Sequence, residues 1–445
     1  MGARSVVAQG PWIPLLTLLL AGCGSSPAAG LDAGGEAAPV QDDAAPDDAA
    51  PDDAPRQLDA GCSGVATEVD RGVIKRGDAL VNVDLLPCTS HRYSVAVPGG
   101  TEMTLEGKAV SGRPLTLSVT YPDGTDEVVS QGTLPGDGTV VSLTFLAPRS
   151  GEFFVRVTRL DPDPTDRYHL TLSCSSSCDL ESTLFPIVLV HGWTGWNSIA
   201  SYEYFYNVPE TLTGLGYPVF TATLDPYNSI EVRAGQLQTQ VDQVLHDFRA
   251  RKIDIIAHSQ GGLDSRRLIT TLGYGDRVSA LTTVATPHQG TPICDMAMGY
   301  LPSPGLDVLD WMLNAVGAMG GNQSDAEASF EAMTEHYVQG TFNPQTPDDP
   351  RVSYVSWTGF TCDITEDTCV NKVHALIATS YWLIKGQAGD NDGIVPVSSA
   401  PWGDFRGKVD ADHFSEIGQF AGITGTFEHL EFYKSRARDF VAEQH

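Results

Sequence analysis

Ser259 is the residue of this chain best placed to act as a nucleophile. It stands in Ile253-Asp254-Ile255-Ile256-Ala257-His258-Ser259-Gln260-Gly261-Gly262, where an apolar run enters a sharp turn and Leu263–Leu272 reads as a helix. A strand–turn–helix of this kind holds its apex residue in strained geometry and projects Oγ from the sheet edge, so the flanking positions must be small. Ala257 stands where glycine is commoner, and its side chain is still small enough. Attack on an acyl carbonyl creates an oxyanion, and losing one donor to it typically costs about 10²–10³ in rate. A second segment, Ile187-Val188-Leu189-Val190-His191-Gly192-Trp193, is a strand followed by a loop that can offer such a donor. The expected oxyanion donors are the backbone N–H groups of Trp193 and of Gln260, the residue after the nucleophile.

A serine needs a base, and in a strand–turn–helix architecture the chain order is serine, acid, histidine. Six histidines follow Ser259: His288, His336, His374, His413, His429 and His445. His288 lies too close to the next strand, and before any plausible acid. His429 falls inside an apparent helix, Phe427–Val441. His413 lies in a polar loop, Asp410-Ala411-Asp412-His413-Phe414, and is the expected base. The acid that orients it must be held rigidly at a turn. Gly389-Asp390-Asn391-Asp392-Gly393 provides two candidates by position; Asp392 is preferred and Asp390 is the reserve.

These residues must be positioned by a sheet. After Thr183 apolar strand runs (Phe185–Val190, Ile253–Ala257, Leu281–Ala285) alternate with helical spacing at Ala234, Leu237, Val241, Val244, Leu245 and Phe248, the pattern of a parallel α/β sheet. Residues 61–180 instead show period-2 alternation: Tyr93/Val95/Val97, Leu115/Leu117/Val119/Tyr121, Val141/Leu143/Phe145, Phe153/Val155/Val157 and Tyr168/Leu170/Leu172. Short alternating runs at close spacing predict an all-β sandwich. The expected organisation is therefore 1–22 as an export signal, 23–60 as a disordered linker, 61–180 as a β-sandwich and 181–445 as the α/β domain.

The 445 residues carry 27 Lys and Arg against 56 Asp and Glu, a net charge of −29. That excludes a nucleic-acid partner, which requires a basic surface. No apolar run reaches the ~20 residues of a membrane-spanning helix. Residues 23–60 hold nine acids against Arg56 and repeat Ala-Pro-Asp-Asp-Ala; so little apolar surface cannot offset chain entropy. Of the eight cysteines, Cys62, Cys88, Cys174 and Cys178 allow three pairings in an oxidising compartment. Cys362 and Cys369 are expected to close a short loop, leaving Cys294 as a buried thiol.

Several segments carry family resemblances. Leu20-Ala21-Gly22-Cys23 resembles the lipobox of bacterial lipoproteins, which implies acylation of Cys23 and, with Gly24 rather than Asp next, an outer-membrane or cell-surface location, secretion being the other outcome. Ser150–Val157 with Tyr168-His169-Leu170 resembles the pre-peptidase C-terminal type of secreted β domain. Pro186–Gly192, Ser229–Arg233, Ala257–Gly262, Ala285-Thr286-Pro287-His288-Gln289-Gly290, Asn391-Asp392-Gly393 and His413–Gln419 occur in that order. Together they resemble the Pseudomonas/Burkholderia-type triacylglycerol lipases, which are α/β-hydrolases. The resemblance implies Ser259 as nucleophile, His413 as base and Asp392, the Asp of Asn-Asp-Gly, as acid. It also implies a lipid ester substrate and a lipase-specific folding chaperone as partner.

The family holds a structural calcium with an acid two positions after the histidine and another upstream. Those positions are Ser415 and Asn371 here, and with only Gln419 kept the set lacks the carboxylates a hard cation wants, so no metal or other cofactor is expected. The family disulfide is absent too, its second position being Ser398. Residues 295–325 carry two apolar stripes, Leu306/Leu309/Leu313/Val316 and Val308/Met312/Ala315/Met319, with glycines at 305, 317, 320 and 321. The resemblance makes this a lid. The expected activity is a serine carboxylic ester hydrolase, a lipase first. The alternatives are a short-chain esterase or polyester depolymerase, and a surface-binding protein with a degenerate hydrolase domain; no residue pattern favours a thioesterase or amidase.

Overall fold

The computed structural model describes Cys62 and residues 65–443, except 111, 163–164, 194–202, 304, 306, 313–325 and 367–369. The expected signal, Cys23 and the acidic segment to Ala60 lie outside the described residues, as do Cys369 and nearly half of the expected lid. Asp59–His445 forms one compact unit.

Its first part is two packed sheets. One has the order β1 (Thr67–Val73), β3 (Thr89–Val97), β8 (Gly151–Thr158), β5 (Leu115–Thr120), β6 (Val128–Leu134); the other runs β2 (Ala79–Leu85), β9 (Asp166–Ser176), β4 (Glu102–Ala109), β7 (Val141–Leu146). The alternating residues named above point inward, and Tyr93, Val95, Leu117, Phe153, Val155 and Leu170 share one core. Four strands escaped the sequence pattern. β1, β2 and β6 are sheet edges whose residues are mostly exposed or half-buried. The inward residues of β4 include Gly107 and Ala109, which carry too little bulk to show a period. The disulfides are Cys62–Cys88 and Cys174–Cys178; Cys362 is disulfide-bonded and Cys294 is free and buried.

The second part is a parallel sheet of order β11 (Val219–Thr221), β10 (Ile187–Val190), β12 (Ile253–His258), β13 (Val278–Val284), β14 (Ser353–Phe360), β15 (Asp404–Asp410). Successive residues of β12 serve opposite faces, as strand geometry requires. Ile253, Ile255 and Ala257 pack with Leu237 and Val241 of α2 (Ile230–Asp247) and Leu268 of α3 (Gln260–Thr270). Ile256 packs on the other side with Phe205, with Val208 and Leu212 of α1 (Val208–Gly214), and with Tyr433. The chain is an α/β-hydrolase fold preceded by an all-β sandwich. In open sheets of this kind ligands bind outside the carboxyl ends of the strands, which is where β10, β12 and β13 leave His191, Ser259 and Ala285.

The two parts meet at the turn entering β12. Arg251 binds buried Glu152 with two bonds, Nε to Oε2 at 2.8 Å and Nη2 to Oε1 at 3.0 Å. Arg249 donates from Nε to Asp123 Oδ2 at 2.6 Å, and its guanidinium lies 3.7 Å from the Tyr121 ring centre.

Candidate active site

β12 delivers Ser259 at φ 56° and ψ −134°, and α3 begins at the next residue, three positions earlier than the sequence suggests. Close packing explains the small residues. A Cβ on Gly261 would lie 2.6 Å from the Val190 carbonyl oxygen and 2.7 Å from that of His191. On Gly262 it would lie 2.1 Å from Thr286 Oγ1, and on Gly192 2.5 Å from Ser259 Cβ. The turn is tied down by Ser259 N–H donating to the Val284 carbonyl at 3.0 Å and Thr286 Oγ1 donating to the Ser259 carbonyl at 2.8 Å.

The tertiary structure brings Ser259, His413 and Asp392 together. His413 Nε2 is 3.0 Å from Ser259 Oγ, and Nδ1 is 2.8 Å from Asp392 Oδ2. With Nδ1–H donating to the carboxylate, Nε2 is free to accept the serine proton. Asp392 is itself fixed: its Oδ1 accepts from Ile394 N at 2.8 Å and Val395 N at 2.7 Å. Gly393, at φ 102°, makes that turn. Asp390 is elsewhere, paired at the surface with Lys385 Nζ at 2.7 Å. His429 caps a carbonyl, its Nε2 lying 3.0 Å from the Tyr206 oxygen, and His288 stacks on Trp402.

Sequence reasoning missed what lies beneath. His258 Nδ1 is 2.7 Å from Tyr204 Oη, and its Nε2 is 2.8 Å from Glu416 Oε2. The His258 ring centre is 4.5 Å from that of His413, and Glu416 Oε2 is 3.8 Å from His413 Nδ1. Burial, with the Asp392 charge adding to it, pushes the Glu416 carboxyl well above its ordinary range. Burial and the neighbouring His413 push His258 well below its own. Both shifts favour the neutral forms, in which protonated Glu416 donates to His258 Nε2. The available signals were faint: a histidine just before Ser259 and a glutamate three residues after His413.

On the β10 side of Ser259, the His191 carbonyl is held by Arg233 Nη2 at 2.7 Å. Arg233 also bonds the Asp225 carbonyl and, through Nε, Asp264 Oδ2 at 2.8 Å. Gln260 is the first residue of α3, so its N–H has no partner within the helix. Its side chain is occupied by Ser329 Oγ and the Asn228 carbonyl. Trp193 packs against Phe330 at 5.3 Å between ring centres. Ser259 and His413 open into a cavity of about 350 Å³ whose other walls include Trp193, Ile293, Met312, Met333, Leu376 and Phe420. Of the apolar stripes expected in a lid, Val308 and Met312 are buried in the adjoining core and Leu309 is partly buried against it.

The model of the palmitoyl protein thioesterase family matches residues 186–415, half of the chain. The chain belongs to this family. Its match runs from the strand before His191 to just past His413, the stretch that holds the whole relay. Curated relatives are lipases. Triacylglycerol lipase 2 of Saccharomyces cerevisiae is 30% identical over 230 residues, covering 50% of this chain and 64% of its own length. The triacylglycerol lipase of Vibrio cholerae is 26% identical over 268 residues (55% and 83%), and that of Burkholderia plantarii 27% over 295 (55% and 82%). Less than two thirds of the yeast protein is thus spanned. Among solved structures, mature Bacillus licheniformis lipase BlEst2 aligns with TM-score 0.41 and 24% identity, over 52% of this chain and 86% of that one. The pre-peptidase C-terminal domain of Bacillus anthracis collagenase aligns with TM-score 0.21 and 15% identity, over 24% and 96%. The relatives' names are those of lipases, and the family model's is that of a thioesterase. The family match also supplies the feature in favour of a thioesterase that residue patterns did not.

The residues at the calcium positions do not fit a calcium ion. Asn371 spends its amide nitrogen on the Asp410 carbonyl (2.6 Å) and Thr426 Oγ1 (2.9 Å). Gln419 spends its own on the carbonyls of Glu203 and Tyr204. Asp412 is engaged by His374 N (2.6 Å) and Ser415 N (2.8 Å). Donor nitrogens and a carboxylate already bridged by backbone N–H groups are a poor cation set.

Proposed function

We propose that the protein hydrolyses fatty-acyl esters, acylglycerols foremost, through an acyl-enzyme on Ser259. The observation that carries this is the Ser259–His413–Asp392 relay at the wall of a 350 Å³ cavity lined by tryptophan, methionine, isoleucine and leucine. So largely apolar a lining suits an alkyl chain. His413 Nε2 takes the Ser259 proton as Oγ bonds to the carbonyl carbon. The backbone N–H groups of Trp193 and Gln260 receive the oxyanion, and Asp392 stabilises the imidazolium. His413 then gives the proton to the departing alkoxide, and water, activated the same way, frees the fatty acid.

Ser259→Ala is expected to lower p-nitrophenyl palmitate hydrolysis by at least about a thousandfold and to abolish labelling by a fluorophosphonate probe; retained turnover would refute the assignment. The family match favours a second reading, an acyl thioester substrate cleaved by the same relay. Parallel assays on triolein emulsion and palmitoyl-coenzyme A decide between them. A profile across ester chain lengths separates either from a short-chain esterase or polyester depolymerase. The same proposal includes a cell-envelope location, with a lipid anchor on Cys23 and the acidic segment as tether, and assistance by a lipase-specific chaperone. Radiolabelled palmitate entering the wild type but not Cys23→Ala tests the anchor.

A further inference from the structure

Besides His413 N–H on the Asp392 carbonyl (2.9 Å) and Asp412 on His374 N, the segment bearing His413 is held by the buried side chain of Asn371. Asn371 Nδ2 donates to the Asp410 carbonyl, three residues before His413, at 2.6 Å and to Thr426 Oγ1 at 2.9 Å. Its Oδ1 accepts from Thr426 N at 2.9 Å, and its backbone carbonyl accepts from Thr361 Oγ1 at 2.6 Å. Thr361 N in turn donates to the Asn391 carbonyl at 3.1 Å, beside Asp392. Gly425 leaves the room required, since a Cβ there would lie 2.2 Å from Asn371 Oδ1. The side-chain amide therefore ties the base-bearing segment to the loop at 424–426, and the backbone carbonyl of the same residue ties it through Thr361 to the acid-bearing one.

An amide carries both donors and an acceptor, whereas a carboxylate carries acceptors only. A carboxylate at 371 would face the Asp410 carbonyl with two acceptors opposed, and something positive would have to lie between them. We propose that Asn371 takes the place of a structural cation in this chain, so that neither the fold nor turnover requires a divalent metal. Asn371 is then a positioning residue for His413. That role rests on the functional reading above; the metal independence does not.

The test uses the full-length protein. Thermal melts in excess EDTA and in calcium chloride are expected to coincide for the wild type. Asn371→Ala is expected to lower Tm by about 4–8 °C. It should lower kcat about tenfold, with KM little changed, because it displaces the base rather than the cavity; calcium should not restore it. Asn371→Asp should be destabilised too, but recover Tm when calcium is added. A wild-type Tm that falls in EDTA and returns with calcium overturns the proposal. So does an Asn371→Ala variant with wild-type Tm and kcat, or an Asn371→Asp variant indifferent to calcium. If neither variant folds, the wild-type melts decide. Failure of the ester-hydrolase reading would remove the kcat readout and leave the melts intact.

Discussion

Replacing Gly192 with alanine should cripple the enzyme without unfolding it. The added Cβ would stand 2.5 Å from Ser259 Cβ, 3.0 Å from its Oγ and 3.0 Å from the His258 carbonyl oxygen, where ordinary contact begins near 3.4 Å. About 0.9 Å must be found between two segments that cannot easily give. Ser259 is pinned through Val284 and Thr286, and the His191 carbonyl is pinned by Arg233. Gly192 does not occupy the left-handed region, so the backbone itself tolerates alanine and the cost is steric. A displacement near 1 Å at a nucleophile typically costs about a hundredfold, roughly 2.7 kcal/mol of transition-state stabilisation. The expected result is kcat/KM for p-nitrophenyl butyrate down about a hundredfold, fluorophosphonate labelling slowed in parallel, and Tm within a few degrees of wild type. A Gly192→Ala variant within threefold of wild type would show that the Ser259–Gly192 contact does not set the nucleophile's position.

Two further outcomes follow from other parts of the molecule. Arg251→Ala leaves the buried Glu152 carboxylate without its two-pronged partner. Because Arg251 itself is partly exposed, the expected loss is about 1–3 kcal/mol, read as a lower Tm by calorimetry with ester turnover unchanged; an unaltered Tm refutes it. His91, buried in the sandwich with Nδ1 2.8 Å from Tyr168 Oη, is pushed down to about 4 by burial. The unfolded chain binds that proton near 6.5, so stability is lost as pH falls from about 6.5 to 4. His91 should supply on the order of 2–3 kcal/mol of the difference between urea melts at pH 7 and 4.5, and His91→Gln should remove that share, the buried His191, His258 and His288 adding to the remainder.

What could be read along the chain was what depends on neighbours in sequence. The turn at Ser259 requires small side chains at 261 and 262 because the carbonyls of 190 and 191 and the Thr286 side chain crowd them, and that requirement is written as a motif. The inward residues of the inner strands show as alternation because a pleated strand has period two. The edge strands β1, β2 and β6 left no such trace. Spacing alone could not separate Asp390 from Asp392; folding does, sending one to Lys385 and the other to His413. Nor could it reveal Tyr204, His258 and Glu416 meeting under the site, or Arg249 and Arg251 reaching back to Asp123 and Glu152. The disulfide pairing was one of three until the strands were placed. Local geometry constrains residue type within a few positions, so sequence determined the nucleophilic turn and the class of each sheet. Which distant acid, base or buried pair shares a proton is settled by contacts between segments far apart in the chain, and only the packed tertiary structure brings those together.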